Sequence, residues 1–584
     1  MNRLQADITQ PVEAWLTRLN EAAARPTPQN VGALFLADGH WREAVALSWE
    51  LKTVTGREAI AKDLAAAMKK LGARDFAIDP KRLAPRIMER AGIPCIEAIL
   101  RFETTVGRCA GLVRLKVDQP SEAWTFHTAL EEIRGHEEER LRLAREDPVF
   151  EREFHGPNWL DRRNERQKFL DREPTVLVVG GGHAGLSVAA RLGQLDVDTL
   201  VVDRMKRAGD NWRLRYHALR LHNTYHSNHM PYMEYPGTWQ QYLPKDRVAN
   251  WLEAYVDFMD IAFWTETSFE GATWDAAAGC WEARVKRADG SSRTLRPKHI
   301  IMGTSVSGAP KRPKIPTLEK FQGKVMHTSE FSDGAAWRGK NVLILGTGTS
   351  AHDVAQDVHG HGGKATLVQR SPTLVINVEP SAQIYDYVFL EKQTPLEDRD
   401  LIATSIPKPV MLEAHRQITK KAEELDATLL KGLERIGFKL SSGIDGTGWP
   451  LLFRERGGGY YFNVGCSDLL VRGEVGLVQY TDLETFVPEG AKMKDGRVIP
   501  ADLVVMATGF EGHMETVQRL FGADVAGRVG KIWGFHPEKQ ELANMWTRTP
   551  QPGLWFTGGA FSLCRAYSKY LALQIKGAEL GIAN

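Results

Sequence analysis

Thr175-Val-Leu-Val-Val-Gly180-Gly-Gly182-His-Ala-Gly185 is an apolar run that breaks into glycines and then resumes as a helix. Such a run reads as a central parallel strand followed by a helix over residues 186–195. Gly180 permits the tight turn, Gly182 lets the backbone approach a pyrophosphate, and Gly185 lets the helix lie close on the strand. The pyrophosphate would meet free backbone amides at the positive end of that helix. A second strand, Thr199-Leu-Val-Val-Asp203, places an acid 18 positions beyond Gly185, where it accepts from ribose hydroxyls. Arg204, next to it, is counted with this site.

The pattern recurs in Asn341-Val-Leu-Ile-Leu-Gly346-Thr-Gly348-Thr-Ser350-Ala351, with alanine in place of the third glycine. Its second strand, 365–369, ends in Arg370 and Ser371 rather than in an acid, which suits a ribose 2′-phosphate. The first site is therefore expected to hold FAD and the second NADP(H). Two dinucleotides in one chain point to electrons passing between them. His359 and His361 read as loop residues, and no metal site is expected.

Outward from these units, 584 residues allow three or four domains, and 43% apolar content supplies several cores. A net charge of +2 without a long basic run argues against a nucleic-acid partner. Neither an apolar leader nor a membrane-length apolar run is present, so a cytoplasmic protein without a membrane partner is expected. The cysteines at 95, 109, 280, 466 and 564 stand singly, without a Cys-x-x-Cys pair, which disfavours hydride transfer to a redox disulfide.

The organisation expected is α/β, with two Rossmann-type domains, the FAD domain interrupted by the NADPH domain, behind an amino-terminal α+β unit. Residues 1–145 show helical spacing over 12–23, then Ala33 to Trp41, a turn, and a helix over 58–71. Strand-like runs follow at 95–102, 110–117 and 123–130. Residues 146–173 form a charged linker, 174–335 the first part of the FAD domain, 336–500 the NADPH domain with an insert at 373–460, and 501–584 the second FAD part. The run Ala501-Asp-Leu-Val-Val-Met-Ala-Thr508-Gly509-Phe510 is expected to complete the first domain, with Thr508 and Gly509 against the cofactor.

Between the two glycine patterns, Phe321-Gln-Gly323-Lys-Val-Met-His327-Thr-Ser-Glu-Phe331 resembles the flavin-containing monooxygenase signature at every defined position. Phe331 followed by Ser332 departs from the tryptophan-ended Baeyer–Villiger version. The resemblance, over 174–584, places the chain with the class B flavoprotein monooxygenases. It implies NADPH reduction of FAD, retained NADP+, and a C4a-hydroperoxyflavin that oxygenates a nitrogen, sulfur or carbonyl compound with O2. It also implies a hinge role for His327 that couples nucleotide binding to flavin geometry.

The segment from Gly209 to Thr224 is similar to indole-pyruvate-type members. That similarity assigns Trp212 and the Arg220–Asn223 backbone to the flavin, with His222 and Asn223 named together as the hydroperoxide-side candidates. Arg565 and Tyr567 lie in a closing helix and are either substrate-facing or structural. The amino-terminal unit resembles the cone fold of nuclear transport factors and polyketide cyclases. In it Asp38 and His40 line a pocket or form its rim, and the domain serves as interface or cover. Two other functions stay open, an NADPH-dependent flavin oxidoreductase without oxygen insertion and a non-catalytic binding protein. A homodimer is neither required nor excluded.

Overall fold

The computed structural model describes residues 3–138, 155–304 and 308–583, with side chains from residue 8. Residues 146–154 of the charged linker therefore lie outside the described residues. At the amino terminus, α1 (Arg3–Ala24) and α2 (Pro28–Gly32) precede β1 (Phe35–Ala44) and β2 (Leu51–Thr55). α3 (Arg57–Leu71) follows, and then β3 (Arg74–Ile78), β4 (Arg86–Arg90), β5 (Ile93–Glu103), β6 (Gly107–Lys116) and β7 (Gln119–Ile133). The seven strands make one sheet in the order β2-β1-β7-β6-β5-β3, with β4 also on β5. The three apolar runs read from the sequence are its antiparallel β5, β6 and β7. The sheet's interior is solid: Trp15, Trp41, Phe76, Phe102 and Phe126 fill it with almost no exposed surface. Trp15 and Phe126 meet edge to face at 5.4 Å.

The chain then builds β8 (Val176–Val179), α4 (His183–Gln194), β9 (Thr199–Val202), β10 (Ala262–Trp264) and β11 (His299–Met302). It crosses into a second unit with β12 (Lys324–His327), β13 (Asn341–Leu345), α5 (Thr349–Gly360) and β14 (Lys364–Gln369). A mainly helical insert contains α6 (Leu396–Thr404), α7 (Lys408–Leu425) and α8 (Trp449–Arg456). β15 (Gly476–Gln479) and β16 (Leu503–Met506) finish that unit, and β17 (Leu554–Phe556) with α9 (Phe561–Glu579) returns to the first.

Two parallel five-stranded sheets result, ordered β10-β9-β8-β11-β17 and β12-β16-β13-β14-β15. The central strands, Val176–Val179, Thr199–Val202, Asn341–Leu345 and Leu503–Met506, are nearly continuous Val, Ile or Leu, as a sheet covered on both faces requires. One expectation is corrected. β16 pairs with β12 and β13, so the 501–510 run belongs to the second sheet, and the first is completed by β17. A fully apolar strand carries no mark of which parallel sheet receives it.

The amino-terminal sheet is not a separate body. Arg82 pairs with Asp398 at 2.7 Å, Arg86 with Glu391 at 2.7 Å, and Lys569 with Glu131 at 2.7 Å. Trp49 packs on α9 so closely that a side chain at Gly577 would come within 2.7 Å of its ring. A single buried apolar cluster runs from α1 through the first parallel sheet to α9.

Candidate functional site

β8 ends where Gly180 adopts φ +107, and a Cβ there would lie 2.6 Å from the Gly303 carbonyl oxygen. A Cβ at Gly185 would lie 2.0 Å from the Gly180 carbonyl, so α4 sits closer to its strand than any other residue allows. Gly182 is the N-cap of α4 and supplies no side-chain cap, which leaves the first-turn amides open. At the end of β9, Asp203 accepts from Gly181 N at 2.6 Å and Met205 N at 2.8 Å, which fixes both the turn and the carboxylate.

The second unit repeats the geometry. Gly346 has φ +133, with a would-be Cβ 2.6 Å from the Ala507 carbonyl, and Gly348 is the uncapped N-cap of α5. Ser350 lies in the first turn of α5, and Arg370 and Ser371 follow the end of β14. Both turns open onto one cleft of about 2180 Å³, also lined by Arg204, Trp212, Arg220, His222, Asn223, Thr508 and Gly509.

The walls of that cleft are held by specific bonds. His183 donates from Nε2 to Gly559 O at 2.8 Å and stacks on Phe561 at 4.0 Å, and burial pushes its pKa down to about 4. His222 stacks on Phe462 at 4.2 Å, and burial likewise lowers it to about 4, so it is neutral at pH 7. Asn223 donates to Asp386 at 2.9 Å, and Ser227 Oγ donates to the same oxygen at 3.2 Å. Burial raises the Asp386 carboxyl above its ordinary value.

Comparison with known proteins fits this layout. The family described as pyridine nucleotide-disulphide oxidoreductase matches residues 174–393. Indole-3-pyruvate monooxygenase YUCCA1 of Oryza sativa subsp. japonica is 28% identical over 343 residues, 58% of this chain and 78% of that protein. A probable indole-3-pyruvate monooxygenase, YUCCA1 of Arabidopsis thaliana, is 25% identical over 343 residues, 58% of this chain and 76% of its own. Among solved structures, ε-caprolactone-bound cyclohexanone monooxygenase shares the fold with a TM-score of 0.51 at 18% identity, covering 70% of this chain and 88% of that one. A cyclohexanone monooxygenase mutant from Rhodococcus sp. Phi1 bound to NADP+ has a TM-score of 0.50 at 17% identity, covering 70% and 85%.

These similarities support a place for the chain among the class B flavoprotein monooxygenases. Its first cradle fits a flavin dinucleotide on physical grounds. Buried Nδ1 of His183, Oδ1 of Asn211 and Nε1 of Trp212 have no hydrogen-bond partner among the described residues. Together with the open amides of α4 they form a mixed donor and acceptor set beside a pyrophosphate-sized turn.

His327 occupies a different place from His222 and Asn223. It is fully buried at the end of β12 and does not line the cleft, although the next residues, Thr328 and Ser329, do. Its Nδ1 accepts from Ser329 N at 3.1 Å, so Nε2 carries the proton and donates to Gly509 O at 3.0 Å. It is a positioning residue, not a group that touches a substrate.

Three further candidates have definite partners. His40 turns to Thr55, with Nδ1 3.0 Å from its hydroxyl, and Asp38 is an exposed partner of Lys116. Arg565 is structural, donating to Asp400 at 2.8 and 2.6 Å and to the carbonyls of Ser227 and His229. The amino-terminal sheet reaches the cleft with Arg42 and Leu51, and Arg42 also contacts Tyr567. Asp386 and Arg454, from the insert, were likewise not singled out, because neither belongs to a recognisable spacing.

Proposed function

We propose that the chain is a FAD- and NADPH-dependent monooxygenase that uses O2 to oxygenate a small organic substrate at a nitrogen, sulfur or carbonyl centre. The observation that carries this is the convergence of two uncapped helix N-termini, one followed by an acid and one by an arginine, on a single cleft. Gly180 and Gly182 admit the FAD pyrophosphate to α4, and Asp203 orients the ribose, with Arg204 beside it. Gly346, Gly348 and Ser350 receive the NADPH pyrophosphate, and Arg370 with Ser371 holds the 2′-phosphate.

When bound, FAD would supply a hydride acceptor for NADPH and an electron donor for O2. The chain's own residues supply the surroundings. Trp212, His183 and Phe561 form an aromatic wall that excludes water near the first cradle. The Asn223 amide, anchored by Asp386, is a fixed polar group directed by the insert. The uncapped N-terminus of α9 at Ala560 and Phe561 favours negative charge that develops on the flavin side. His327 and the Thr508–Lys311 bond at 2.6 Å lock the two crossings between the units.

The domain limits given above are proposed with one change, the transfer of β16 to the nucleotide unit. The partners proposed are NADPH, O2 and one small organic molecule. No described helix is long and apolar enough to cross a membrane. Five buried free cysteines accord with a reducing compartment, and the cytoplasm is proposed. The first test is flavin content followed by anaerobic titration. A yellow protein bleached by NADPH in preference to NADH, and recoloured by air, is expected. A colourless protein would overturn the proposal in favour of a binding function.

A further inference from the structure

Part of the cleft wall is apolar, formed by Met411, Trp449, Phe453, Phe462, Phe535 and Met545. Arg42, Arg454, Lys408 and Tyr567 offer donors at this wall, and the Glu541 carboxylate that also lines it is already held by Arg42. Arg42 reaches in from β1 but is already committed. Its Nε and Nη2 donate to Glu541 at 2.8 and 2.7 Å, its Nη1 donates to Ile406 O at 2.8 Å, and its Nη2 also donates to the Tyr567 hydroxyl at 2.6 Å. Since that hydroxyl accepts from Arg42 and donates to no described residue, its own proton is left for whatever occupies the cleft. The Tyr567 ring cannot swing away, because it stacks on Trp546 at 4.8 Å.

Arg454 of α8 lines the same space in a different condition. Its one hydrogen bond among the described residues is to Pro450 O, a carbonyl of its own helix, at 3.3 Å, and no described carboxylate lies within 4.0 Å of it. The acids whose charge reaches it are engaged elsewhere. Glu541 is held by Arg42 and by Thr53 Oγ1 at 2.9 Å, and Asp386 by Asn223 and Ser227. Lys408 lies over the Phe535 ring at 4.5 Å and also lacks a described ion pair. Beside Arg454, His415 is kept neutral by burial and by that guanidinium. A guanidinium cannot shed its proton to escape this setting, so an uncompensated cation among aromatic rings is costly unless a ligand supplies the anion.

We propose that Arg454 and Tyr567 form a two-donor subsite that anchors a carboxylate carried on an apolar body, and that the amino-terminal domain builds it, with Arg42 as the positioning residue for Tyr567. The carboxylate oxygens would take the Arg454 fork and the Tyr567 O–H, while the body of the molecule lies along Trp449, Phe453 and Phe535. That this molecule is the substrate rests on the monooxygenase reading above; the binding does not. The amino-terminal sheet thereby acts as a wall of the reaction cleft and not as a pocket of its own, in keeping with its filled interior.

The test is calorimetric binding to the FAD- and NADP+-loaded full chain, using three acids of increasing apolar size and their amides: phenylacetate, 3-phenylpropionate and 1-naphthylacetate. Each acid is expected to bind at least about tenfold more tightly than its amide. Arg454→Met is expected to erase that preference, and Tyr567→Phe, which keeps the stacked ring, to weaken acid binding about tenfold. Arg42→Met is expected to match Tyr567→Phe, with no further loss in the double variant. Equal binding of acid and amide in every pair, or a preference that survives Arg454→Met, would overturn the subsite. Additive losses from Arg42→Met and Tyr567→Phe would overturn the positioning role. Flavin content and NADPH-driven bleaching are recorded on the same samples. Bleaching lost with the acid preference retained strikes the monooxygenase reading alone, and the reverse strikes the subsite alone.

Discussion

His327 Nε2 lies 3.0 Å from the carbonyl oxygen of Gly509, which is 182 residues further along the chain. The bond joins the first crossing between the two dinucleotide units to the second, at the point where Gly509, with φ +80, turns into the cleft. Lys311 N donates to the same carbonyl at 3.0 Å, and Thr508 returns a bond to Lys311 O, so both crossings are tied into one strap.

His327→Leu leaves the Gly509 carbonyl with Lys311 N as its remaining donor. The expected result is a loss of about 1 kcal/mol in unfolding free energy and a raised KM for NADPH, with less change in kcat. Calorimetry and steady-state kinetics check it. An unchanged KM would remove the link between this histidine and nucleotide binding.

Gly182→Val separates cofactor loss from misfolding. A Cβ at Gly182 meets only the end of the Asn211 side chain at 3.0 Å, which can move, whereas Gly180 faces backbone. The variant is expected to fold and to be purified without FAD. Circular dichroism with flavin absorbance checks this, and a fully loaded variant would show that the first turn does not hold the pyrophosphate.

Arg370→Ala should raise the KM for NADPH about tenfold or more and leave that for NADH nearly unchanged, because only the former has a 2′-phosphate to lose. Equal changes for both nucleotides would mean that the 2′-phosphate lies elsewhere.

Acid should destabilise the protein before carboxylate titration explains it. Seven described histidines, including His183, His222 and His415, are pushed down to about 3 or 4 by burial. Unfolded, each titrates near 6.5. Their contribution is therefore complete above pH 6.5 and is lost as pH falls towards 4, since the unfolded chain takes up protons that the folded chain refuses. Glu43 and Asp353, raised by burial to about 7 and about 6, act in the opposite sense but are outnumbered. A melting temperature that falls between pH 6.5 and 4.5, with a shallower fall in His222→Gln, is the expected calorimetric result.

The two glycine turns were legible because a pyrophosphate imposes their spacing on the sequence itself. Gly180, Gly182 and Gly185 each answer a contact within a few residues or with a neighbouring strand. The placement of β16 was not legible, since Leu503–Met506 would read the same in either parallel sheet. Nor were the contacts that join distant segments at the cleft. Arg42 meets Glu541 across 499 residues, and Asn223 meets Asp386 across 163, so no local pattern could announce either pair. Asp38 and His40 belong to the short stretch that resembles the cone fold, while Arg42, on the same strand, reaches the cleft.

The most direct test of oxygenation uses isotopically heavy O2. The protein is supplied with NADPH and a panel of sulfides, amines, ketones and aryl acids, and the products are examined by mass spectrometry. The expected result is one heavy oxygen atom in the product of at least one compound, with NADPH consumed in equal amount. If NADPH is oxidised but the heavy oxygen is recovered only as peroxide with every compound, oxygen insertion is contradicted and a flavin oxidoreductase takes its place.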